Sequence, residues 1–270
     1  MFEAHRHILS REPSVSDYEE LFDAGFVNYQ GILYKYVSYE TALLILSGQC
    51  LKYSVSDSFN DPFDLTMDLM DPTIDMPSVI EDIKSHWTED ADLQNILISL
   101  FREQPGLFGQ IFFEAFENIK RDIGICCFSK SPLKTLMWSH YADHHRGVCL
   151  GFRFSDELPQ SLMQFPVRYV NELTSSNLFE KPFLTIVNWL FTKSHVWEYE
   201  EEVRIALMNN NGLVPFHTSS LSEVYYGLRL SPENISNIKQ ALVVNNFTPT
   251  FEKQMRINKL TFDLTTKPVG

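Results

Sequence analysis

Residues 197–204 read Trp197-Glu198-Tyr199-Glu200-Glu201-Glu202-Val203-Arg204. Carboxylates set among aromatic and β-branched side chains make a poor solvated helix face and a good site. Read as a strand, the stretch alternates with period two, so Glu200, Glu202 and Arg204 share one face while Glu201 and Val203 take the other. The two acids then stand roughly 6.5–7 Å apart along the strand, about the reach needed to address two groups on one sugar.

Outward from this strand, the chain reads as short strands separated by unequal helices. A helix near 179–193 leads into the acidic stretch, and strands near 212–217 and 222–230, a helix near 232–242 and a closing strand near 259–264 follow it. Upstream, a strand at 32–37 precedes a helix that Ser38 caps and Gly48 ends, and a second strand at 50–55 runs into a proline-containing turn. Residues 74–120 are helical, with Leu93, Ile96, Leu97 and Leu100, then Leu107, Ile111, Phe112 and Phe116, recurring at helical spacing. A strand at 122–129, a helix at 133–143 and a strand at 147–154 complete the set. This order predicts an α+β fold rather than a doubly wound parallel sheet. Residues 1–30 read as a polar arm with one short helix near 16–24, and 31–270 as a single α+β domain with a helical insertion at about 74–120.

Composition narrows the function. The chain has 270 residues, 44% hydrophobic and 13% aromatic, enough for a substantial core. Its formal net charge of -13 speaks against broad electrostatic binding to nucleic acid or anionic membrane. Cys50, Cys126, Cys127 and Cys149 lack zinc spacing and read as reduced thiols of a cytoplasmic protein. No apolar run is long enough to span a bilayer, and no GxGxxG or Walker loop is present.

Each candidate motif has a structural and a functional reading. Glu200 and Glu202 are either surface ion-pair partners of Arg204 or Lys193, or a pair of acids working at an anomeric carbon. Phe59-Asn60-Asp61-Pro62-Phe63-Asp64 is either an Asx-type turn anchored by its phenylalanines, or a loop whose rings bracket a flat ligand while Asn60 and Asp61 meet its polar groups. In Met137-Trp138-Ser139-His140-Tyr141-Ala142-Asp143-His144-His145, His140 and His144 are four apart, as zinc ligands on a helix can be. No third ligand is evident, so no metal is assigned, and the expected arrangement is a helix packing Met137, Trp138 and Tyr141 inward with His140 reaching a pocket. Tyr34-Lys35-Tyr36 and Ser129 gain meaning only in combination with these.

In combination they resemble something. Tyr34-Lys35-Tyr36, the Phe59–Asp64 loop, Cys127-Phe128-Ser129, Met137–Ala142, Gly147-Val148-Cys149 and Trp197–Arg204 occur in the order of a bacterial family of uncharacterised proteins, domain of unknown function 2971. The resemblance covers roughly residues 32–230; His140 and His145 match its pattern and His144 does not. A looser similarity is to DarT-like ADP-ribosyltransferases. Their NAD site opens with a comparable strand–helix–strand unit, and Glu200-x-Glu202 resembles the ExE signature that closes it.

That similarity implies a split two-sheet ADP-ribosyltransferase-like core with NAD as substrate. Glu202 would be the catalytic glutamate at the nicotinamide ribose, and Glu200 would orient or activate the acceptor. Lys35 would take the place of a first-strand His or Arg, and Ser129 would stand near the middle-strand serine. Tyr34, Tyr36, Asn60, Asp61, Phe63, Trp138, His140, Tyr141 and Arg204 complete the expected binding set. The lysine, the Asn-Asp-Pro loop and an arginine directly after the acidic pair depart from the general pattern. The implied activity is NAD cleavage with transfer of ADP-ribose to a macromolecule, protein more readily than duplex DNA, as in a toxin-like or phage-defence effector. The alternatives are a non-enzymatic ligand- or peptide-binding module and a metal-dependent hydrolase or nuclease using His140, Asp143 and Glu200.

Overall fold

The structure, a computed structural model, describes residues 14–71, 73, 75–154, 162–178, 180–208 and 210–269. Helix α1 (Val15–Asp23) opens on a reciprocal cap: the Ser14 hydroxyl accepts from the Asp17 amide, and the Asp17 carboxylate accepts from the Ser14 amide. Leu21, and Phe26 just beyond the helix, are buried with Phe183, so this part of the arm is fastened to the body. Strand β1 (Leu33–Val37), helix α2 (Tyr39–Gly48) and strand β2 (Cys50–Tyr53) follow as a unit. Ser38 caps α2 through the Thr41 amide. The residue that turns left-handed at its end is Gln49 (φ 51°), one place after the glycine expected to stop it.

Strand β3 (Met70–Asp71) leads into α3 (Met76–Asp82), a π-turn over Ile83–Trp87, α4 (Ala91–Glu103) and α5 (Pro105–Lys120). These helices enclose a small core of their own. The expected stripe on α4 is rotated: Leu97, Ile98 and Phe101 are buried while Leu93 and Ile96 face solvent. Phe101 packs edge-on against Phe108, and the larger aromatic area decides which face turns in. On α5, Phe116 is buried as expected, and the side chain of Phe112 lies outside the described residues.

Next come β4 (Gly124–Ser129), α6 (Thr135–His140), β5 (Val148–Phe152), β6 (Leu162–Pro166), β7 (Arg168–Val170) and β8 (Ser176–Asn177). Helix α6 ends earlier than expected because Asp143, His144 and His145 are all left-handed, at φ 43°, 51° and 70°. His140 and His144 therefore do not stand on successive turns of one helix, and the spacing that suggested zinc has no geometric counterpart. Close backbone approach fixes this corner. A Cβ on Gly147 would lie 2.1 Å from the Val37 carbonyl oxygen.

The chain closes with α7 (Pro182–Phe191), β9 (Thr192–Ser194), β10 (Glu202–Leu207), β11 (Gly212–Pro215), β12 (Leu221–Tyr226), α8 (Pro232–Val244), β13 (Phe251–Ile257) and β14 (Leu264–Pro268). The single closing strand expected at 259–264 is in fact the turn between β13 and β14.

Eight strands form one mixed sheet in the order β14-β13-β12-β5-β1-β4-β10-β6, giving the expected α+β architecture. Along β10, Val203, Ile205 and Leu207 enter the core that includes Leu46 and Ile238 of the α2 and α8 helices. Ala206 enters the opposite core beneath α7, with Trp189 and Phe191. Both faces of the sheet are thus covered.

One seam is different. Strand β1 meets β5 through five registered pairs but meets β4 through one, Tyr34 opposite Ser129. Beyond that pair the strands part, and Ser54, just after β2, takes up the vacated edge of β4 by bridging Ile125. The split two-sheet core expected from sequence is not what forms: the main strands make one eight-stranded sheet, which opens at this seam.

Candidate active site

The seam opens a cleft of about 310 Å³, in the size range of small-molecule sites. Strand β1 lines it with Tyr34, Lys35 and Tyr36, and β4 with Ile125, Cys127 and Phe128. The loop after β2 adds Ser58, Phe59, Asn60 and Asp64; Tyr141, Lys193, Glu200 and Glu202 complete the acidic wall. The parting of β1 from β4 leaves the Cys127 carbonyl outside the ladder, and Lys35 Nζ donates to it at 2.9 Å.

The two acids arrive by different routes. A 3₁₀ turn runs over His195–Glu200, Glu201 is left-handed at φ 44°, and β10 begins at Glu202. Period-two alternation therefore places Glu202 and Arg204 on one face, whereas Glu200 reaches the same side through the turn and the kink. Glu201 points away and pairs with Lys134 Nζ at 2.5 Å.

Five charges interlock behind the cleft, all of them buried. Lys193 Nζ donates to Glu200 Oε2 at 2.7 Å and Glu202 Oε2 at 3.3 Å, and lies 3.7 Å from Asp64 Oδ2. Arg204 Nε donates to Glu202 Oε1 at 2.8 Å; its Nη2 donates to Asp64 Oδ1 at 2.5 Å and its Nη1 to the Leu190 carbonyl at 2.9 Å. The ion pairing open to the sequence does form, with Lys193 and Arg204 as its cations, but in the interior rather than at the surface.

The environment separates the two glutamates. Burial works against ionising Glu202, yet Arg204 and Lys193 outweigh it and hold its carboxyl down at about 2. Burial lifts Glu200 above the usual carboxylate range, against the attraction of Lys193 and with the Glu202 charge adding to the rise. Tyr141 donates to Glu200 Oε1 at 2.6 Å and accepts from Asn60 Nδ2 at 3.2 Å, tying the Asn-Asp-Pro loop to the acidic wall.

Of the residues singled out from sequence, Tyr34, Lys35, Tyr36, Asn60, Tyr141, Glu200 and Glu202 share this cleft. The Tyr34 hydroxyl is engaged by Glu223 at 3.0 Å, and that of Tyr36 donates to the Ser131 carbonyl at 2.7 Å. The others stand elsewhere. Phe63 is 64% exposed and does not line the cleft; the ring this loop offers is Phe59. Asp61 accepts from the Phe63 amide at 3.0 Å, which makes it the turn former of the structural reading. Ser129 is fully buried and accepts from the Ser131 amide at 3.3 Å. Trp138 is fully buried, donates to the Pro132 carbonyl at 2.8 Å and packs edge-on against Tyr36. His140 lies outside the cleft, with Nδ1 3.1 Å from the Tyr199 hydroxyl. Arg204 is fully buried with its donors engaged by protein groups, so it holds the acids rather than a ligand.

Phe59 lines the cleft, as the ring reading of its loop allows, and Asp64, Lys193, Lys52, Ser54 and Cys127 line it without having been singled out as site residues. Lys193 carried a readable signal, a lone cation directly after the apolar run from Phe183 to Phe191. Lys52 and Ser54 carried none, since only the opening of the seam brings them in. The metal-hydrolase alternative loses its geometry. Asp143 is spent on an exposed pair with Arg146 at 3.0 Å, and among the described residues no three His, Cys, Asp or Glu groups are disposed to hold a metal. Among those residues, too, no helix is long and apolar enough to cross a membrane.

No curated protein and no solved structure gives a significant match to the chain. A family model described as protein of unknown function (DUF2971) matches residues 137–205, the span that carries α6, β5, Lys193 and the acidic pair.

Proposed function

We propose that the chain cleaves NAD at the bond between nicotinamide and ribose and passes ADP-ribose to an acceptor. One observation carries the reading: two carboxylates meet on the wall of one cleft in different company, Glu202 held by Arg204 and Lys193 and Glu200 by Lys193 and the Tyr141 hydroxyl, so that their ionisation is pushed in opposite directions. Such a split is how one site comes to hold a fixed negative charge beside a group that moves a proton. Nicotinamide leaves with the bonding electron pair, and positive charge develops on the ribose. Glu202 stays ionised, and with Glu200 also ionised three carboxylates face two cations in the cluster. The excess negative charge stabilises the developing cation. The acceptor oxygen then bonds to the anomeric carbon while its proton passes to Glu200. Tyr141 orients Glu200 through its 2.6 Å hydrogen bond.

The opened seam provides room for such a ligand, and the loose resemblance of Glu200-x-Glu202 to the ExE signature of DarT-like ADP-ribosyltransferases points to the same chemistry. With a net charge of -13, a protein acceptor is favoured over duplex DNA. The role as a toxin-like or phage-defence effector rests on the resemblance alone. A second reading, a binding module without catalysis, is favoured by the full pairing of Glu202 with Arg204 and Lys193. The two separate in one assay, nicotinamide release from NAD followed by chromatography. The enzyme reading expects Glu202→Gln to lower release about 100-fold or more relative to wild type, at a temperature where melting shows both folded. Binding of NAD with no release from wild type would support the module.

A further inference from the structure

The cleft has a second wall of opposite sign. Lys193 is spent on three carboxylates, but Lys35 has a backbone carbonyl as its hydrogen-bond partner, and Lys52 has no carboxylate partner among the described residues. What sets these two apart is their place: both line the one cleft that also holds Glu200 and Glu202. The backbone explains why these two converge. Ser54 bridges Ile125 in antiparallel register, its amide and carbonyl both bonded at 2.9 Å. Lys52 lies two places before Ser54 on the segment that this bridge holds against β4, and Lys35 reaches the same strand through its bond to the Cys127 carbonyl. Lys35 from β1 and Lys52 from β2, with Ser54, thus line one cleft.

We infer that Lys35, Lys52 and Ser54 form an anion subsite that takes a phosphate or diphosphate group of the ligand. Two ammonium groups without carboxylate partners supply charge, and the Ser54 hydroxyl supplies a neutral donor. The cleft is therefore polar along its length. A ligand seated in it has its phosphates against the lysines and the end that becomes positive against Glu200 and Glu202. In the terms of the NAD-cleavage reading, on which the orientation rests, the diphosphate lies at the β2 side and the nicotinamide ribose at the β10 side. The subsite itself does not depend on catalysis.

Calorimetric titration with inorganic pyrophosphate tests it without any turnover. Wild type is expected to bind, with affinity falling as salt rises. Lys52→Glu should weaken binding by about tenfold or more, Lys52→Arg should retain it within about threefold, and Lys130→Met, which removes a charge outside the cleft, should leave it unchanged. Lys52 is exposed, so its variants are expected to melt with wild type. Absence of pyrophosphate binding to wild type, or equal binding by wild type and Lys52→Glu, overturns the subsite. Nicotinamide release by the same preparations is read separately. Release with no pyrophosphate binding removes the subsite and leaves the cleavage reading standing; pyrophosphate binding with no release does the reverse.

Discussion

Glu200 and Glu202 are the same residue type two positions apart, and their surroundings alone set them in opposite directions. Glu202 has the Arg204 fork and Lys193; Glu200 has Lys193 and a tyrosine hydroxyl. The linkage signs follow. The depressed carboxyl of Glu202 contributes stability that is present above its ordinary 4.5 and is lost as pH falls from there towards about 2. The raised carboxyl of Glu200 has the opposite sign: the folded state binds its proton more tightly, so its contribution falls as pH rises through the window above 4.5. For a base that must be ionised to accept a proton, the acid limb of nicotinamide release should therefore lie above the ordinary glutamate range. Glu200→Gln should remove that limb along with most of the activity, as a pH–rate profile would record. Lys193 is the cation shared by three carboxylates, and Lys193→Met should cost about 3–5 kcal/mol in urea unfolding because it leaves buried negative charge uncompensated. A cost under about 1 kcal/mol would mean that these carboxylates are neutral in the folded protein.

At the scale of elements, the left-handed Glu201 is the device that turns both neighbours inward. Glycine takes that backbone conformation without strain and a β-branched residue does not. Glu201→Gly should be within about 1 kcal/mol of wild type, since the lost ion pair with Lys134 is part-exposed and weak, while Glu201→Val should destabilise by about 2 kcal/mol. Thermal melts of the pair would check it; equal losses for both would show that the kink is not what matters. The same kink marks where reading by pattern stops. Period two correctly joined Glu202 to Arg204, and it brought Glu200 to the right side for a wrong reason, because no strand runs through Glu201. The β1–α2–β2 unit was legible because its cap and hydrophobic run act within a few residues. Helix α6 was drawn too long because nothing local announces three successive left-handed residues at Asp143, His144 and His145; close packing of Gly147 on the Val37 carbonyl imposes them from outside. Of the two rings in the Phe59–Asp64 loop only Phe59 reaches the cleft, and Trp138 is packed away from it, since tertiary packing and not residue type decides which side chain lines it.

At the scale of the whole molecule, the consequential feature is a sheet that stays continuous in order while parting at one seam. Cores on both faces hold the strands on either side, so the gap between β1 and β4 persists without a ladder to close it. Into that gap the fold brings an acidic wall from the 3₁₀ turn and β10 and a basic one from β1 and β2, contributed by segments more than a hundred residues apart in the chain. The acidic stretch could be read as a site from sequence; its facing wall could not, because strand pairing alone creates it. The central claim is that this cleft breaks NAD, and incubation of the purified protein with NAD labelled in its adenine half, together with whole-cell lysate, tests it most directly. The account predicts nicotinamide release with label transferred to the protein fraction, both lost in Glu202→Gln. Folded wild-type protein that releases no nicotinamide, with or without lysate, would contradict it.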